Sequence, residues 1–265
     1  MSSLAYTLSD SRTMLRRNLK HQLRYPSLTL MLVGMPIVLL LLFVYVFGGQ
    51  LGAGLSAHGG RSAYLNYVVP GILLITVASA VQGTSIMVAM DMTGGIIDRF
   101  RTMAIARASV LTGHVLGSLI QTMAALAIVI GVALGLGFRT GARPLQWLAT
   151  LGILALFAFA VIWLAVALGL AAKSVETASN TPMIMILLPL LGSGFVPTAT
   201  MPPGLRQFAE YQPFTPVADT LRGLLSGGGV GNNAIIAIGW SVGIAAVSYL
   251  WAIRLYNRRR AAEPK

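Results

Sequence analysis

The chain has 265 residues, 56% of them hydrophobic and only 10% charged, with no cysteine and a formal net charge of +12. The missing cysteines exclude a disulfide framework and thiol chemistry. Six long apolar stretches without Asp, Glu, Lys or Arg argue against a soluble fold, whose buried helices are shorter and carry polar faces.

At the N-terminus, Leu4, Leu8, Leu15 and Leu19 share one side of a helical projection, with Arg16, Arg17, Lys20 and Arg24 roughly opposite. This predicts an interfacial helix over residues 1–26, lying on the inner leaflet. The apolar run that follows is too long for the h-region of a signal peptide, so it is read as a retained first span. The six stretches are residues 27–47, 67–90, 110–136, 147–171, 181–200 and 234–252. Each approaches or exceeds the ~20 helical residues that cross the hydrocarbon of a bilayer. The predicted fold is therefore an all-α integral membrane protein with six transmembrane helices over residues 27–253 and a basic tail at 254–265.

Six spans put both termini on one side, and that side holds fourteen of the nineteen Lys and Arg residues. The other five are Arg61, Arg139, Arg143, Arg206 and Arg222. This asymmetry makes both termini cytoplasmic. The positive charge thus follows topology and touches anionic lipid, and no basic and aromatic patch suggests nucleic acid.

Between the first two spans, the glycine-rich stretch Gly48 to Gly60 reads as an outer loop. The cytoplasmic loop after the second span is the longest inside, and it combines charge with Ile97, Phe100 and Met103. That composition suits a short helix presented to a soluble partner, with a surface-lying helix as the alternative. Glycine pairs at Gly113/Gly117, Gly131/Gly135 and Gly239/Gly243 allow close helix approach, within the chain or between copies. The fifth stretch differs from the others. Pro182, Pro189 and Pro197 interrupt it, and Gly192, Ser193 and Gly194 loosen its outer half. Two short outer helices follow, the second with an apolar face of Val217, Leu221, Leu224 and Leu225. Thr215 is its expected cap and Pro216 its first helical residue.

Chemistry of the usual kinds is missing from the sequence. There is no G-x-x-x-x-G-K-[ST], and only three lysines occur, so an ATP-binding loop is not expected here. The spans hold one ionisable residue, His114, near a cytoplasmic end, whereas proton-coupled transporters place carboxylates at depth. No metal-ligand cluster or catalytic set is legible. Weakly polar residues of the second and fifth spans, Thr76, Ser79, Gln82 and Ser193, together with Pro189, are candidate substrate-path residues.

Pro70-Gly71-Ile72, the run Asp98 to Gly113, Met201-Pro202, Pro213 to Val217 and Leu221 to Leu225 resemble the type 2 ABC transporter permease family, in particular its daunorubicin-resistance-type drug-export permeases. The resemblance implies a six-span permease subunit without an enzymatic site of its own. A second copy would pair with it, as homodimer or heterodimer, and ATP with Mg would be bound by a separate ATPase. No cofactor is expected in this chain. By position, Asp98, Arg99, Phe100, Arg101, Met103 and Arg107 would couple to the ATPase, and residues 1–26 would be the connecting helix. Phe208, Leu221 and Arg222 would belong to an outer re-entrant region. The cargo would be a small amphiphile moved outward across a bacterial plasma membrane. One departure is Met103-Ala104-Ile105, where such permeases often carry a proline. The competing readings are a stand-alone secondary transporter and a non-transport scaffold or lipid-modifying enzyme.

The charge asymmetry generates a direct test of orientation. Single cysteines placed at Ser2, Ser56 and Ala262 in this cysteine-free chain should be labelled by an impermeant reagent in intact cells only at Ser56; labelling of either terminus would reverse the topology.

Overall fold

A computed structural model describes residues 26–54, 60–94 and 107–261. Of the N-terminal helix predicted over residues 1–26 only Pro26 is described, and the coupling residues Asp98, Arg99, Phe100, Arg101 and Met103 lie outside the described residues. All secondary structure among the described residues is helical.

The first apolar stretch begins at Pro26, where a proline fits because the first-turn N–H has no intrahelical partner. It forms α1 (Pro26–Leu42), a π-helical turn at Phe43–Phe47 and α2 (Gly48–Ala53). The glycine-rich segment expected to be a loop is therefore helical as far as Ala53. The physical reason is close packing: a Cβ on Gly52 would collide with the carbonyl of Gly60, and one on Gly48 would sit 3.4 Å from Arg61 Cγ. Side chains there would push the helix off the start of the next one.

That next helix, α3 (Arg61–Thr93), is the centre of the bundle. Of its most apolar window 78% is buried, against 22% for the α1–α2 span and 17% for the last helix. Around it stand α4 (Arg107–Gly135) and α5 (Pro144–Ala171), followed by α6 (Val175–Asn180) and α7 (Met183–Leu190). Two short helices come next, α8 (Leu205–Tyr211) and α9 (Phe214–Leu225), and α10 (Asn233–Ala261) closes the chain by packing mainly on α5. The core therefore runs along α3 through Val68, Ile72, Ile75 and Val81, and reaches α5 at Leu154, Phe157 and Val166. Peripheral helices present Leu30, Met31, Val38, Ile235, Val247 and Leu250 outward, which suits a lipid solvent rather than water.

Five described helices are long and apolar enough to cross a membrane. The stretch at 181–200 is not a sixth of that kind. Ser174 caps α6 by accepting the Thr177 N–H at 3.2 Å, a turn at Thr181 and Pro182 separates α6 from α7, and residues 191–196 leave the helix altogether. The prolines and glycines singled out in the sequence mark these breaks.

Small residues set the approach distances, although only some of the pairs noted in sequence do so. Gly113 and Gly117 are buried inside the chain. Around Gly131, Gly135, Gly239 and Gly243 a Cβ would meet nothing within 4 Å, so those glycines do not bring helices of one chain together. Close approaches occur elsewhere. A Cβ on Gly169 of α5 would lie 2.7 Å from the Ser85 carbonyl oxygen of α3. One on Gly71 of α3 would lie 2.5 Å from the carbonyl oxygen of Gly194. The last helix continues to Ala261, so the basic residues from Arg254 to Arg260 extend it.

Gly71→Ala should therefore destabilise by about 1–3 kcal/mol, the usual range for overpacking a tight site, because the obstacle is backbone and does not yield like a side chain. Gly239→Ala, in open space, should leave the melting temperature unchanged. Equal melting temperatures for the two variants would mean that the Gly71–Gly194 contact does not set the position of residues 191–196.

Candidate functional site

Peptide groups that leave a helix inside apolar surroundings need new partners, since an unsatisfied one costs several kcal/mol there. Residues 191–196 find theirs largely in side chains from two helices, α3 and α9. When α7 ends, the carbonyl of Leu188 accepts a hydrogen bond from Gln212 Nε2 at 2.8 Å. Tyr64 donates its hydroxyl to the carbonyl of Phe195 at 3.3 Å.

Ser193 is the focus of this arrangement and is 4% exposed. Its N–H donates to Thr215 Oγ1 at 3.2 Å, and its hydroxyl donates to Asp219 Oδ1 at 2.7 Å. Its carbonyl accepts from Tyr67 Oη at 2.9 Å and from Arg222 Nη2 at 2.6 Å. Arg222 also donates through Nη1 to Asp219 Oδ1 at 2.6 Å, and its guanidinium lies 4.0 Å above the centre of the Tyr67 ring. Every polar group of Ser193 is engaged, and the single cation near it is balanced by Asp219 and the ring face.

Helical spacing explains how one short helix supplies so much. Thr215, Asp219 and Arg222 recur at intervals of four and three, so they form a polar stripe directed at residue 193, and Gln212 reaches Leu188 from the turn before the helix. The interleaved Phe214, Val217, Ala218, Leu221 and Leu225 are buried, and Phe214 meets Phe157 of α5 edge-on at 5.0 Å. Thr215 was expected to cap α9; the helix instead begins at Phe214 without a side-chain cap, and the Thr215 hydroxyl is taken by Ser193. Reading α9 as an apolar face identified Leu221 and left the opposite stripe unread. Asp219 was missed for that reason, although its spacing from Thr215 and Arg222 was visible; Tyr67 of α3 and Gln212 of the turn before α9 are long-range partners with no local signal.

The other sequence candidates fall into two groups. Thr76 is fully buried, and its hydroxyl donates to the Ile72 carbonyl of its own helix at 3.0 Å. Pro189 is buried at the end of α7. Ser79, Gln82 and Gly83, by contrast, are half-buried along with Ile86 and Met90, and together they form a stripe down α3. Gln82 Nε2 donates to the Ser179 carbonyl at 3.0 Å, tying α3 to α6. Phe208 of α8 is 48% exposed and stands apart from the Ser193 network. Arg107 opens α4. Beside the network, between α8, α9 and α10, lies a cavity of about 450 Å³ lined by Glu210, Tyr211, Asp219 and Trp240 among others.

At the opposite end of α3, Asp91 and His114 of α4 pair at 3.1 Å between Oδ2 and Nε2. No group of three or more metal-ligating side chains occurs among the described residues.

The family model of the ABC-2 type transporter matches residues 10–225. The chain belongs to the ABC-2 type transporter family. It is 30% identical over 259 residues to a daunorubicin resistance ABC transporter permease, DrrB1 of Streptomyces coeruleorubidus, covering 97% of this chain and 89% of that protein. It is 29% identical over 218 residues to a probable doxorubicin resistance ABC transporter permease, DrrC of Mycobacterium tuberculosis, covering 80% and 76%. With its long apolar helices it is a multi-pass membrane permease of the ABC exporter type.

Removing the cation from the Ser193 network should be costly. Arg222→Gln leaves Asp219 and the Ser193 carbonyl without their charged donor, and charge-assisted hydrogen bonds contribute about 1.5–3 kcal/mol each. Arg206→Gln, which breaks the exposed Arg206–Glu210 pair, should cost no more than ~1 kcal/mol. Thermal unfolding in detergent distinguishes them, and a ranking of Arg206 above Arg222 would remove the network from its structural role.

Proposed function

We propose that this permease moves an amphiphilic, drug-like or lipid-like compound outward, using ATP hydrolysed with Mg by a separate ATPase subunit. Both termini face the cytoplasm in this reading, and a second permease copy completes the complex. The observation that carries it is the match of the family model across residues 10–225, joined to near full-length similarity to a permease named for daunorubicin resistance. The absence of an ATP-binding loop from the sequence supports a borrowed energy source.

The loop between α3 and α4, with Asp98, Arg99, Phe100, Arg101, Met103 and Arg107, receives the ATPase movement. The interrupted 181–200 segment makes the fifth of six crossings, and α8 and α9 dip into the outer leaflet with Phe208, Leu221 and Arg222. The cargo path runs between two copies, beside the half-buried stripe Ser79–Gln82–Gly83 of α3. Burial divides the remaining path candidates: Thr76, Pro189 and Ser193 act through packing and shape, while Ser79 and Gln82 are the ones a compound would touch.

Co-purification with an ABC ATPase subunit, followed by assay of ligand-stimulated hydrolysis in proteoliposomes, tests the whole reading. Phe100→Ala and Arg101→Glu should reduce ATPase binding or stimulation while insertion stays normal. Bulky replacements at Ser79 should change which compounds are exported, whereas the same replacements at Thr76 should lower folded yield for every compound alike. Export that continues with no ATPase present would favour a secondary transporter.

A further inference from the structure

We propose that the Asp91–His114 pair is the fulcrum through which movement at the start of α4 is transmitted to α3, making both residues positioning residues for coupled export. The proposal rests on reading the loop between these helices as the ATPase-docking segment.

Both side chains of the pair are less than a tenth exposed. The chain has only seven acids and three histidines, yet one of each is buried at a helix–helix contact in the apolar bundle. Burying ionisable partners costs several kcal/mol per ion, and well-packed apolar residues would hold the two helices together at least as well. In a membrane bundle such a pair is a functional feature by default. Apolar neighbours are already in place: Met87 and Val88 on α3, and Leu111 and Val115 on α4, are buried. They supply cohesion without direction, whereas an N–O contact fixes one register between the helices.

Position along the helices gives the pair its mechanical meaning. Asp91 lies two residues before the end of α3, and His114 lies seven residues after the start of α4. At 1.5 Å per residue, α3 ends ~3 Å past the contact while α4 runs on for ~10 Å. The start of α4 is thus a two-turn arm beyond the point where it is pinned. Force applied at Arg107 turns α4 about that point and loads α3 at Asp91. As the central helix, α3 carries the displacement along its length to Gly71 and Tyr67, which hold residues 193 and 194.

The cysteine-free chain permits a direct test on the full permease with its ATPase in nanodiscs. Spin labels at Ala108 and Lys173 report movement beside the docking loop, and a second pair at Ser62 and Ala149 reports movement at the far end. In the otherwise native protein, ATP with vanadate should shift both distances. In Asp91→Leu, which removes the acceptor, the near shift should persist and the far shift should be lost, and exchanging the partners, Asp91→His with His114→Asp, should restore it. Far-end movement that survives Asp91→Leu overturns the proposal. If Asp91→Leu does not fold, His114→Leu takes its place; failure of both and of the exchange to fold makes the pair a structural staple and also overturns the proposal. Absence of any near shift in the native protein removes the docking-loop reading, and the fulcrum falls with it.

Discussion

The need to satisfy peptide groups where a helix stops inside an apolar bundle governs this fold more than any other interaction. A continuous helix meets its own backbone demands, and five of the spans do so with almost no side-chain help. The 191–196 segment cannot, and its carbonyls and N–H groups must be met from outside. The chain answers with Tyr64 and Tyr67 on the central helix and with Gln212, Thr215, Asp219 and Arg222 beside or on α9. This answer explains why α9 is sharply two-sided while the spans are apolar all round. It also explains why Arg222, a partly buried cation in a hydrophobic protein, is tolerated: its charge is balanced by Asp219 and by the face of Tyr67.

Glycine at 71 and 194 is the complementary condition. Side-chain donors of fixed length reach residue 193 only if the irregular segment lies against α3, and that contact leaves no room for a Cβ on Gly71. Proline at 182 and 189 breaks the helix, small residues bring the break against the centre of the bundle, and polar side chains complete its hydrogen bonds. Loss of any one of the three leaves the other two without a purpose.

Much of this was legible from residue order, for physical reasons. Spans are visible because hydrocarbon tolerates neither charge nor irregular backbone, so length and the absence of charge identify them directly. The interruption near residue 190 was visible because proline and glycine act locally. The extension of helix to Ala53 was not, since Gly48 to Gly60 looks like a loop until the partner that needs close approach, the start of α3, is known. Thr215 shows a related failure. A threonine before a proline at a helix start resembles a cap, but a buried N–H from residue 193, twenty-two positions away, competes for the same oxygen and wins. Long-range partners of this kind have no local signature. The candidate path residues divided for the same reason: Thr76 and Ser79 look alike in sequence, and only the packing around α3 separates a fully buried hydroxyl from a half-buried one.

Placed on one axis, the two polar clusters of α3 define what this helix is suited to do. Asp91 joins it to α4 at one end, and Tyr67 with Gly71 joins it to the interrupted segment nearer the other. Between them α3 stays helical throughout and is enclosed on most sides, apart from the half-buried stripe at Ser79, Gln82 and Gly83. Packed interiors move as units rather than deforming continuously. A rigid rod pinned by directional contacts near both ends and by non-directional ones between is a means of carrying displacement across a bilayer. The rarity of charge in this chain then has a mechanical reading: between Tyr67 and Asp91 the linking helix carries no Asp, Glu, Lys, Arg or His, and its contact between ionisable groups sits at the end where register with α4 has to be kept.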